Sequence, residues 1–331
     1  MNNQLSLLND EPVQQPYQAV QPETQLFKQI PKTLSWSDIL GQFVAIAVLK
    51  NALERDRVGT AYLFSGPDGV GKTLTAKCFV EQLGYANPTE HPDVLWVEPT
   101  YLHQGQQLTA SIAAEHEVKS KSLPLIRIEQ VRTITEFLGT SALIATKKVV
   151  VIQCAEQMQT AAANALLKTL ENPTNGILIL ISSEPKRLLS TIASRCQHLL
   201  FNRLSNEQML EVLTRLGYSE ILEVKSVMGL ATGSPGAAIY HYKQLKSIPA
   251  ELLLELKQPP KDILKVINIS RAVETLELHA QLWILQYLQW LWWQQTSDAS
   301  LIEKLQNAKM QIQMFIQPKL VWDVLLMELI N

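Results

Sequence analysis

The apolar run Tyr62-Leu63-Phe64 passes directly into Gly66-Pro67-Asp68-Gly69-Val70-Gly71-Lys72-Thr73, and the chain then continues as a helical stretch to Leu83. Strand, glycine-bearing loop and helix in that order form the setting in which a loop can cradle phosphate. The glycines let successive backbone N–H groups turn inward around phosphate oxygens, Lys72 supplies a point charge to the outer phosphates, and the Thr73 hydroxyl can ligate Mg²⁺. Gly66, Pro67, Asp68, Gly69, Val70, Gly71, Lys72 and Thr73 are therefore the candidate site for ATP or ADP with Mg²⁺. A glycine-bearing turn without a ligand is the plain alternative, and it does not account for strand, lysine and threonine all being in place.

From Leu34 to Phe201 apolar runs alternate with helical stretches, as a parallel sheet flanked by helices demands. The predicted strands are Ala61–Ser65, Val94–Val97, Val149–Ile152, Ile177–Ile181 and Leu199–Phe201, and Ile128, Val131, Ile134, Phe137 and Leu138 mark a helical face. Residues 1–33, rich in Gln, Pro and Asn, read as a flexible tail. After Phe201 the strands stop. Ser205 and Gln208 have capping-box spacing, Gly217 can end that helix, Ser219 can start another, and Ser234-Pro235 a third. The expected organisation is a sheet domain over 34–201, a three-helix lid over 202–246 and a helical C-terminal domain over 247–331, entered through a Pro-punctuated stretch from Pro249 to Pro260.

A phosphate loop names a superfamily, so the strand that would carry the Mg²⁺-holding acid decides the chemistry. Val149-Val150-Val151-Ile152 is followed by Gln153-Cys154, where an active ATPase carries Asp-Glu. Gln153 has no charge for a metal, and losing a positioned base costs on the order of 10²- to 10⁴-fold. Glu156 stands two residues further on, and a misplacement of about one ångström already costs about 100-fold. Ser182 and Ser183 read equally as a polar sensor of the outer phosphate or as strand-end hydroxyls serving the local backbone.

Longer strings carry a resemblance. Trp36-Ser-Asp-Ile-Leu-Gly-Gln42, Ala61-Tyr-Leu-Phe-Ser-Gly66, Ala161-Ala-Ala-Asn-Ala-Leu-Leu-Lys-Thr-Leu-Glu171-Asn-Pro173, Ile181-Ser-Ser-Glu-Pro185 and Ser194-Arg195-Cys196 together resemble the bacterial clamp-loader subunits of DNA polymerase III. The resemblance implies an α/β AAA+ P-loop NTPase fold with a small helical lid and an all-α C-terminal collar. It also implies work in an assembly with tau/gamma and delta subunits, which loads the sliding clamp onto primer-template DNA in the cytoplasm. The chain would then be an accessory subunit of a DNA-directed DNA polymerase, a nucleotidyltransferase complex. Arg195 is similar to an arginine finger that reaches a neighbouring subunit's nucleotide in trans, where a guanidinium can be worth about 10³- to 10⁵-fold. Gln153-Cys154, and Gly236 where a nucleotide-sensing arginine stands in the tau/gamma type, resemble the delta-prime type and imply weak or no hydrolysis. An active tau/gamma-like motor is the alternative, and a P-loop metabolic phosphotransferase a more distant one.

Composition narrows the rest. With 47% hydrophobic residues, a net charge of -2 and a pI near 6.3, the chain is not basic overall, so DNA contact is expected through partners or a local patch. Cys78, Cys154 and Cys196 are too scattered for a zinc cluster, and the four cysteines that related subunits carry after the phosphate loop are missing, so no zinc site is expected. His91, His103 and His116 fit no metal-site spacing. No secretory signal or membrane span is expected, since the oiliest stretch, Leu282 to Trp293, is broken by Gln286 and Gln289. Trp283, Tyr287 and Trp290 at helical spacing, with Trp292 and Trp293, are assigned to core or subunit packing.

Overall fold

The structure, a computed structural model, describes residues 34–103, 106–109, 124–171, 176–260, 262–314 and 316–330. The tail over residues 1–33, His116 and the Asn172-Pro173 end of one resemblance string lie outside the described residues. The described chain forms two compact units that divide between Leu253 and Leu254.

In the first unit, strands β1 (Ala61–Ser65), β2 (Val94–Val97), β5 (Lys148–Ile152), β6 (Gly176–Ser182) and β7 (Gln197–Leu200) form one sheet in the order β2-β5-β6-β1-β7. All its ladders are parallel. The three central strands are buried along their whole length, which is why they read as continuous apolar runs. Their side chains alternate between two cores. On one face Tyr62, Phe64, Val149, Val151, Ile179 and Ile181 pack with helices α1 (Phe43–Glu54) and α2 (Lys72–Gln82). On the other, Leu63, Val150, Ile152, Leu178 and Leu180 pack with α3 (Ile128–Gly139) and α4 (Thr160–Glu171). Each such side chain contributes about 1.5–3 kcal/mol by leaving water.

Two elements depart from the sequence expectation. The last strand was expected at Leu199–Phe201 but starts at Gln197, because only Leu199 of this edge strand is buried and Gln197 and His198 carry no apolar signal. Phe201 still donates one further bond to Ser65 O at 2.7 Å. A hairpin of β3 (Thr100–His103) and β4 (Gln106–Thr109) follows β2. Its second strand, Gln-Gln-Leu-Thr, has no burial to signal it. The Arg127 guanidinium ties the hairpin down through Thr100 O at 2.6 Å and Thr100 Oγ1 at 2.9 Å.

Beyond the sheet come α5 (Ser190–Ala193), which precedes β7, and then α6 (Asn206–Arg215), α7 (Lys225–Ala231) and α8 (Pro235–Ser247). Ser205 closes the expected capping box with Gln208, and Ser234 caps α8 with Pro235 in its first turn. Ser219 opens a 3₁₀ turn, Ser219–Glu223, and α7 begins only at Lys225. Met209, Leu213, Val227, Ala238 and Ile239 join these helices to the core above β1.

Helix α9 (Ala250–Glu255) crosses the division and occupies much of the Pro-punctuated stretch. The second unit contains α10 (Ile263–Glu274), α11 (Leu278–Thr296), α12 (Ala299–Gln313) and α13 (Pro318–Glu328). Trp283, Trp292 and Trp322 fill the interior of this unit, while Trp293 is 46% exposed. The buried indoles keep their N–H groups satisfied, Trp292 on Leu256 O at 3.1 Å and Trp322 on Gln281 Oε1 at 3.0 Å, as burial of a polar edge requires. Among the described residues no helix is long and apolar enough to cross a membrane.

Candidate phosphate-binding site

Six consecutive carbonyls of the glycine-bearing loop are held by named donors. Lys72 Nζ donates to Gly66 O at 2.7 Å and Pro67 O at 2.6 Å, Ser234 Oγ to Asp68 O at 2.6 Å, and the Gly236 N–H to Gly69 O at 3.0 Å. Gln42 Nε2 reaches Val70 O at 3.2 Å, and Thr75 takes Gly71 O through both its N–H and its hydroxyl at 2.9 Å. A loop whose acceptors are committed in this way is shaped for an anion by its N–H dipoles. Gly71, at φ +100°, is the N-cap of α2 and brings no side chain to the first-turn N–H groups, the arrangement in which a helix N-terminus receives phosphate. Lys72 is 2% exposed, with Asp68 at 3.6 Å.

The loop is built together with α8 and with the chain that leads into α6. A Cβ on Gly236 would stand 2.6 Å from Gly69 Cα, so the two backbones touch as only glycines can. Gln42, 2% exposed, uses its amide as a staple. Beyond Val70 O, its Nε2 donates to Asn202 O at 2.8 Å, and its Oε1 accepts from the Asn202 N–H at 3.0 Å. Leu204 donates to Gly233 O at 2.7 Å. Gln42 and Ser234 were not singled out from sequence as site residues, although Gln42 ends one of the resemblance strings. Bonds spanning 160 and 166 residues leave no local pattern to read.

At the acidic end, Gln153 leaves β5 on the face that carries α2, and its N–H bonds Val97 O at 2.8 Å. Its side chain lines a cleft of about 400 Å³ with Lys77, Glu98 and Gln130. Burial pushes the Glu98 carboxyl up, against a Thr109 hydrogen bond that lowers it. Cys154 turns the chain at φ +47°. Glu156 then sits buried in a 3₁₀ turn, Ala155–Gln157. Its Oε1 accepts from Ser183 Oγ at 2.6 Å and from the Ser183 N–H at 3.2 Å. Its Oε2 is buried and has no hydrogen-bond partner among the described residues, and the same holds for Ser182 Oγ. Ser182 O accepts from the Gly66 N–H at 3.2 Å. The hydroxyl of Ser183 is thus bound to a carboxylate on the neighbouring strand's exit, and the two serines differ in surroundings where the sequence left them alike.

Arg195 stands on the turn between α5 and β7, 38% exposed. Its bonds run to Thr191 O at 3.0 Å and Glu171 Oε1 at 2.8 Å, not to the loop at 66–73. Burial pushes the adjacent Cys196 thiol up to about 11, which keeps it protonated and unreactive. Among the described residues no group of His, Cys, Asp and Glu could hold a metal ion.

The family model described as "DNA polymerase III, delta subunit" matches residues 41–205, which hold the loop and the whole five-stranded sheet. A second, "Cyanobacterial DNA polymerase III delta prime, C-terminal domain", takes over at residue 207 and runs to 329. The chain belongs to the DNA polymerase III clamp-loader subunit family. Among the similar members, the subunit delta' of Bacillus subtilis (strain 168) is 34% identical over 189 residues, 52% of this chain and 51% of that protein. Subunit delta' of Pseudomonas aeruginosa is 34% identical over 194 residues, 53% of each chain. The B. subtilis subunit tau is 31% identical over 192 residues, 57% of this chain and 33% of its own. The chain thus spans about half the length, or less, of these relatives. A gamma subunit-related protein from Thermotoga maritima superposes with a TM-score of 0.52 at 16% identity, over 85% of this chain and 98% of that one. That likeness is one of fold.

Proposed function

We propose that this chain is the delta-prime-type subunit of a bacterial clamp loader. It holds a nucleotide with little or no hydrolysis and lends an arginine to a neighbouring motor subunit. The supporting observation is the contrast within one site. The loop from Gly66 to Thr73 is tied at six successive carbonyls into a phosphate cradle, while β5 exits into uncharged Gln153. Lys72 and the first-turn N–H groups of α2 would hold the phosphates of ATP or ADP, and Thr73 would hold Mg²⁺, which supplies charge neutralisation when bound. Glu156, the nearest acid in sequence after β5, stands two residues beyond Cys154 and turns one carboxylate oxygen to Ser183, which disfavours the tau/gamma-like reading. The helical C-terminal unit suits a collar role. The partners are then tau/gamma and delta subunits, with the sliding clamp and primer-template DNA reached through the assembly in the cytoplasm.

Two measurements on the purified chain test this. Nucleotide affinity should fall sharply in Lys72→Ala, and ATP turnover by the isolated wild type should be negligible. Brisk turnover that depends on Lys72 and is lost in Glu156→Gln would instead identify a motor subunit.

A further inference from the structure

We infer that Glu171 is the positioning residue of Arg195, holding the guanidinium in the pose from which it reaches a neighbour's nucleotide. The inference rests on the reading of Arg195 as a finger supplied in trans. A long, exposed arginine on a short turn samples many rotamers, and here two elements converge to restrict it. Nη1 donates to Thr191 O at 3.0 Å, a carbonyl of the short helix α5, and Nη2 to Glu171 Oε1 at 2.8 Å, on the last residue of α4. Two bonds to separate elements fix the plane of a fork that carries five donors, and three donors remain to approach phosphate oxygens. Glu171 closes α4, at the helix end that favours a nearby cation.

The pair suits positioning better than holding up the fold. Its members are 38% and 51% exposed, a setting in which an ion pair adds little to stability. Helix α4 is anchored independently by Ala162, Ala163 and Leu166. A weak, water-exposed partner also yields readily when a more highly charged phosphate arrives.

The test is a double-mutant cycle in the assembly reconstituted with tau/gamma and delta subunits, reading steady-state ATPase. Arg195→Ala should lower kcat on the order of 10³-fold or more. Glu171→Ala should lower kcat roughly three- to ten-fold, the cost of ordering one free side chain, with KM unchanged. Glu171→Gln, which keeps the acceptor, should recover most of that loss, and added to Arg195→Ala, Glu171→Ala should have no effect. An equal loss from Glu171→Ala in both backgrounds would overturn the proposal, because the residue would then act without Arg195. So would an unchanged kcat in Glu171→Ala beside a large loss in Arg195→Ala. If Arg195→Ala itself leaves the ATPase intact, the trans-finger reading fails first, and the proposal with it. Matched thermal midpoints of the single variants confirm that folded chains are being compared.

Discussion

At the scale of single residues, three of the six held carbonyls of the loop, those of Asp68, Gly69 and Val70, take donors that come from elsewhere in the chain. Gln42 is the clearest case, because one amide satisfies Val70 O, Asn202 O and the Asn202 N–H. Gln42→Ala should destabilise the first unit by at least about 1–3 kcal/mol, the cost of buried groups left unpaired, and lower nucleotide affinity with it. Denaturant titration beside a binding isotherm checks both, and an unaltered midpoint would remove Gln42 from the loop's support. Gly236 makes a steric prediction. The Cβ of Gly236→Ala meets backbone at 2.6 Å on a segment that has no flexible end to give way, so α8 or the loop must shift, at roughly 1–3 kcal/mol. Gly236→Arg would therefore not convert the site into a nucleotide sensor by adding charge alone. Hydrogen exchange should instead show faster opening of residues 234–238 in both variants. The strand, loop and helix around residues 66–73 were readable in sequence because the motif is contiguous. Their supports were not, since a buried glutamine and a serine in a capping position look the same as their ordinary counterparts until the chain folds back on them.

At the scale of elements, α8 carries a pH dependence. His241 is 5% exposed, and burial lowers its pKa to about 4 from 6.5. The folded state therefore keeps the imidazole neutral, while the unfolded chain takes up a proton as pH falls below 6.5. The associated stability is fully present above that value and is lost progressively down to about pH 4. The full gap corresponds to roughly 3 kcal/mol. Stability of the wild type should decline across this window more steeply than that of His241→Gln, with the two curves parallel above pH 7. Chemical denaturation at half-unit intervals would show it, and parallel curves throughout would mean that the fold leaves this histidine's titration unperturbed. The elements themselves divide by how much burial they involve. Strands β1, β5 and β6 were visible because both faces are apolar, and the Ser205 and Ser234 caps because capping is local chemistry. The β3–β4 hairpin was invisible because solvent-facing glutamines carry no period, and α7 was placed too early because Ser219 starts a 3₁₀ turn rather than a helix.

At the scale of the whole molecule, the parallel sheet and its order of helices followed from the alternation of apolar runs, and the division at Leu253 and Leu254 falls inside the Pro-punctuated stretch, Pro249 to Pro260, through which a helical C-terminal domain was expected to be entered. Helix α9 crosses it, so about half of that Pro-punctuated stretch is helical. Each unit encloses its own core, one around the sheet and one around Trp283, Trp292 and Trp322. Cores of this kind unfold as separate cooperative blocks unless strongly coupled. Differential scanning calorimetry of the whole chain should resolve two transitions. A nucleotide that binds the loop at 66–73 stabilises only the unit containing it. At a free concentration of 100 times Kd this amounts to about 2.7 kcal/mol, or roughly 5–10 °C for a unit of this size. The transition of the C-terminal unit should not move, and Lys72→Ala should abolish the shift in the other. A single transition displaced as one by nucleotide would mean that the two units are energetically fused. Phosphate binding at the loop would then reach the helical unit directly, and nucleotide could tune assembly as well as local stiffness.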